Sequence, residues 1–161
     1  MVVIHGTKKL LDRVPGSSSA IEAPTRPLGS WYATVLFWKP QVTLLVDEDT
    51  YLPLLMPLAP AATLLQRFPD ALERLLTAHH APASLIEPAI TAARQPVLAP
   101  TANRRAIGVM NELAYLATHH HASGETDLVT LAVDLARTPI SPLYPTHVSP
   151  DRALTALAEP Q

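Results

Sequence analysis

Proline sets the outer limits on what this chain can become. Seventeen prolines stand against five glycines, many of them at segment edges, as at Pro15, Pro40, Pro60, Pro82, Pro96, Pro100 and Pro150. Proline fixes φ and has no N–H, so it halts helices and cannot donate to a central ladder. Spread between apolar segments rather than gathered into a tract, these residues describe a folded domain punctuated by rigid turns. The Ala, Leu, Arg and Pro richness is equally what genome base composition produces, and carries no function.

Between the prolines lies enough apolar material for one core. The 161 residues are 48% hydrophobic and 16% charged, which fits a single domain over 1–161. A formal net charge of −2 argues against whole-surface attraction to nucleic acid or anionic lipid and leaves room only for a local basic patch. With no cysteine there are no disulfides, thiolate zinc sites or cysteine nucleophiles. The opening MVVIHGTKKLL is too briefly apolar for a secretory signal, and no run approaches the length of a membrane span. The expectation is a bacterial, cytoplasmic protein with no membrane partner.

Residue pattern predicts the elements. Val2–His5 reads as a strand and Thr7–Val14 as one or two helical turns; 15–29 is a breaker-rich, flexible loop. Ser30–Trp38, Gln41–Glu48 and Tyr51–Leu58 form an antiparallel meander, with Pro53 and Pro57 placing its third strand at an edge. Leu64, Leu65, Phe68, Leu72, Leu75 and Leu76 make a helical stripe that Pro69 either divides or kinks. Ser84 and Glu87 have the spacing of a capping box, and Gln95–Thr101 returns to the sheet as a strand. Further helices are expected over about 103–119, over Thr126–Arg137, and from a Ser149 cap, with Thr138–Val148 extended between the last two. The fold class is α+β: an antiparallel sheet of about four to five strands, mostly N-terminal, packed against four to five helices.

The segment TANRRAIGVMNEL (Thr101–Leu113) is the least ordinary. Ala106, Met110, Leu113 and Ala117 form its buried stripe, whereas Arg104, Gly108, Asn111 and Tyr115 recur on another face. An interior glycine costs roughly 1 kcal/mol relative to alanine, which a close neighbour would explain. Thr101 or Asn103 can cap the start, where free amides favour anions and Arg104 and Arg105 add guanidinium forks. The plain structural account pairs those arginines with Asp47, Glu48 or Asp49 and uses Gly108 for tight packing.

In order, TKKLL, WYA, VTLLVDEDT, NRRAIGVMNEL and ARTPI resemble the pattern of an uncharacterised family of small bacterial domains of plasmid and mobile-element type. Lys8, Lys9, Trp31, Tyr32, Ala33, Thr50, Asn103, Arg104, Gly108, Met110, Asn111, Leu113 and Arg137–Pro139 match it. Thr34 and Asp47 stand where it has asparagine, Arg105 where it has serine, and Glu112 where it has aspartate. The resemblance implies one domain and brings no activity.

Other constellations are weaker. His119–His121 and His79–His80 are consecutive, so they diverge around a helix rather than converge on a metal; no metal or cofactor is expected. No G-x-S-x-G, Walker or H-E-x-x-H motif is present. The preferred reading is a non-enzymatic binding or regulatory module. Its patch comprises Lys8, Lys9, Trp31, Asn103, Arg104, Arg105, Asn111 and Glu112, with a protein partner favoured over nucleic acid. The alternatives are a hydrolase or nuclease using Glu112 with the hairpin acids, and a homo-oligomer meeting through Gly108.

Overall fold

A computed structural model describes residues 1–16 and 23–159. Five strands form one sheet: β1 (Val2–Gly6), β2 (Ser30–Leu36), β3 (Val42–Asp47), β4 (Pro53–Pro57) and β5 (Pro96–Pro100), in the order β4-β3-β2-β1-β5. Among the described residues six helices accompany them: α1 (Lys8–Leu11), α2 (Leu64–Ala78), α3 (Ala83–Ala93), α4 (Arg104–Ala122), α5 (Leu128–Leu135) and α6 (Pro150–Ala158). The meander β2-β3-β4 is antiparallel as its alternation predicts. The sheet as a whole is nevertheless mixed, because β1 pairs parallel with both β2 and β5. A crossover connection lets strands run alike, and β5 arrives only after α2 and α3. The expectation of an antiparallel sheet is corrected to a mixed one; four of its strands are N-terminal, and β5 returns from Pro96–Pro100.

The outer strands share a device. PLLMP and PVLAP each begin and end in proline. Leu58 N–H donates inward to Gln41 and Gln95 accepts inward from Val2. Neighbouring backbone groups alternate in direction, so Pro53 and Pro57, like Pro96 and Pro100, fall in the outward rows. Each edge thus loses two of the three outward donors that a five-residue strand would present.

Helices cover both faces. Trp31 is fully buried and meets Phe68 of α2 edge-on at 5.5 Å, which assigns the odd-numbered side of β2 to α2. α4 packs along β2 and β3 on the other side, and α5, packed against β4, touches both α2 and α4. The far end of α4 is fastened by Trp38, whose indole N–H donates to Thr118 Oγ1 at 3.1 Å and whose ring stacks on His121.

Several local expectations change. Pro69 lies inside one continuous α2, and α3 starts at Ala83 behind Pro82, so Ser84 and Glu87 form no capping box. Ser149 precedes α6, but its hydroxyl goes to the Asp151 carboxylate rather than to a backbone N–H. A 3-10 turn at Ser141–Leu143 interrupts the segment expected to be extended. Within the expected loop 15–29, residues 17–22 fall outside the described residues, whereas Thr25 and Gly29 are held in place. Thr25 N–H donates to the Met1 carbonyl, and a Cβ on Gly29 would sit 1.5 Å from the Thr25 oxygen, so only glycine permits that fold-back.

Candidate functional site

Asn103 stands in extended conformation at the head of α4, its side-chain oxygen accepting from the amides of Arg105 (3.0 Å) and Ala106 (3.2 Å). That cap is what the expected start requires. Arg104 and Arg105 come next, both exposed. The partners that plain packing would assign them are already taken: Arg26 bridges Glu48 at 3.2 Å and also binds Asp49. Among the described residues neither α4 arginine forms an ion pair, although Arg105 is felt electrostatically at Tyr51. There burial raises the phenol pKa, and the Arg105 charge pulls against it.

Beneath the head of α4 lies a chain of polar contacts on β1, β2 and the β3–β4 turn. His5 stacks on Tyr32 with ring centroids 4.6 Å apart, its Nδ1 3.2 Å from the Pro100 carbonyl and its Nε2 3.3 Å from Ser30 Oγ. Ser30 Oγ in turn reaches Glu48 Oε2 at 3.3 Å. A serine hydroxyl has one proton to give, so it can serve the carboxylate or an unprotonated Nε2, not both. Burial raises the pKa of the Tyr32 phenol, helped by Glu48, while the backbone amides of Asn103 and Ala102 oppose the rise. Those amides place the α4 head directly above β2.

The turn itself is organised by Asp47. Its Oδ2 accepts from Thr50 N–H and Thr50 Oγ1, both at 2.8 Å, and from Asp49 N–H at 3.2 Å. Its Oδ1 is buried without a partner among the described residues. Burial outweighs those hydrogen bonds and pushes the carboxyl up to about 6.

The sequence-predicted patch divides. Asn103, Arg104 and Arg105 remain together at the head of α4, and Asn111 and Glu112 lie exposed farther along it. Trp31 leaves the patch altogether: it is a core residue on the opposite face, its indole N–H bonded to the Leu28 carbonyl at 2.8 Å. Lys8 and Lys9 are exposed on α1, and the Lys9 ammonium lies 5.6 Å from the centre of the Phe37 ring, past the far end of β2. Gly108 is exposed and a Cβ there would meet nothing within 4 Å, so internal close packing does not explain it. Glu112 and the turn acids are not gathered into one group, and among the described residues no three His, Asp or Glu side chains could hold a metal ion. The same residues include no helix long and apolar enough to cross a membrane.

Sequence reasoning missed His5, Ser30 and Arg26. Alternation places Ser30 and Tyr32 on one side of β2, but nothing local announces that β1 lies parallel beside them and brings His5 opposite Tyr32. Arg26 lies in a segment whose composition reads only as loop.

No curated protein and no solved structure matches the chain. A family model does match, over residues 3–153, and its description is domain of unknown function (DUF6933). The strand–helix frame and the α4 head both lie inside that span, and the chain belongs to this family.

Proposed function

We propose that the protein is a binding module that receives an acidic protein segment at the head and outer face of α4. The observation that carries this reading is the division of labour among the arginines: Arg26 neutralises Glu48 and Asp49, leaving Arg104 and Arg105 directed to solvent with no ion pair among the described residues. Exposed guanidinium groups beside a helix start suit carboxylates. The Asn103 cap already occupies two of the helix-start amides, so the arginines rather than the backbone would carry the contact. The overall charge of −2 confines attraction to this patch and favours a protein partner over nucleic acid.

Fluorescence anisotropy with a labelled polyglutamate peptide tests the reading. Replacing Arg104 and Arg105 together by alanine is expected to weaken binding by about tenfold or more, with added salt weakening the wild type as well. The melting temperature should hardly move, since both side chains are exposed. Equal affinity of the wild type and the double variant rules the patch out. Tighter binding of a single-stranded oligonucleotide than of the peptide replaces the protein partner by nucleic acid.

A further inference from the structure

The junction of α2, α5 and α6 lies apart from the α4 head. α2 ends against His79 and His80, α5 runs out into Arg137, and α6 opens with Asp151. Together with Val133 and Thr155 these residues line a cavity of about 240 Å³. The backbone joins the two segments that carry its charges: Asp151 N–H donates at 2.9 Å to the carbonyl of Ala136, the residue before Arg137.

Arg137 and Asp151 do not pair with each other. The Asp151 Oδ1 accepts from the Ser149 hydroxyl and the Arg152 amide, and the carboxylate forms no ion pair among the described residues. The Arg137 guanidinium reaches Asp134 only at 3.6 Å, with its side chain 70% exposed. His79 forms the wall, its Nε2 buried without a partner among the described residues. Burial lowers the imidazole pKa, Asp151 opposes this, and Arg137 and His80 add to the lowering, so the ring is neutral near neutral pH.

The cavity therefore holds one carboxylate and one guanidinium that do not satisfy each other. A simple anion would meet Asp151 and a simple cation would meet Arg137, each at a like-charge cost. A molecule carrying both charges a few bonds apart meets neither penalty. The volume is that of about eight waters, below the usual span of drug-sized pockets. We propose that this cavity binds a small zwitterion of the α-amino-acid type, its carboxylate on Arg137 and its ammonium on Asp151.

Isothermal titration of the full chain with L-threonine, L-valine and L-proline, each of about eight heavy atoms, tests this. At least one should bind, and its N-acetyl and carboxamide derivatives should bind about tenfold more weakly or worse. Arg137→Gln and Asp151→Asn should each weaken binding by about tenfold or more at an unchanged melting temperature, since asparagine can still accept from Ser149 and Arg152. The proposal falls if none of the three amino acids binds, if the blocked derivatives bind equally well, or if both variants retain affinity. Acetate binding as tightly as the amino acids would leave only an anion pocket, and also overturns it.

Discussion

Asp47 is the residue whose chemistry departs furthest from its type. Its carboxyl is fully enclosed and pushed up to about 6 from an ordinary 3.8, although Thr50 supplies two hydrogen bonds. Between those two values the unfolded chain has released this proton while the folded chain keeps it, so stability falls as pH rises from about 4 to about 6. The loss is on the order of 3 kcal/mol by linkage, and it persists at higher pH. Asparagine can accept the same Thr50 bonds without a charge. Urea denaturation of Asp47→Asn is therefore expected to show higher stability than the wild type at neutral pH and near parity at about pH 4. A stability difference that does not change with pH would refute this account. The sequence showed a turn rich in acids, but not which acid turns inward, because burial is decided by the partner strand rather than by the turn.

At the scale of elements, α4 was readable and its surroundings were not. Asn103 capping, the stripe of Ala106, Met110, Leu113 and Ala117, and the position of the arginines are all set by spacing along one helix. The parallel partners of β1 are not, since Gly6 meets Ala33 and Pro100 across long stretches of intervening chain. Local pattern likewise could not separate Trp31 from Tyr32: both are aromatic, and only the docking of α2 and α4 decides which side each serves. Gly108 shows how an element can hold a cost with no internal return. Its missing Cβ would meet open space, so Gly108→Ala should raise stability by roughly 0.5–1 kcal/mol through helix propensity alone. If a partner backbone lies close over α4, the same substitution weakens binding of the polyglutamate probe. A gain in melting temperature with unaltered affinity would confine the contact to the arginines.

For the whole molecule, the arrangement of prolines that first bounds the chain also bounds its sheet. β4 and β5 are the outer strands, and each is bracketed by proline in the outward row. Unpaired strand edges are templates for another chain, and ring carbons in place of N–H groups remove donors from both edges, while Arg67 occupies the outward Pro57 carbonyl of β4. Pro57→Val with Pro100→Val changes two exposed strand ends and restores an outward donor on each side. That double variant is expected to form thioflavin-positive material sooner than the wild type during incubation at elevated temperature, and an unchanged lag time would count against the idea. The meander and its edge were foreseeable from Pro53 and Pro57, whereas the second edge became visible only once β5 was found beside β1. Crowded copies of this chain consequently have little means of zipping together into a continuous ribbon while folded. Any stable pairing between them has to be made by side chains on the helical flanks, where charge and shape can discriminate one neighbour from another.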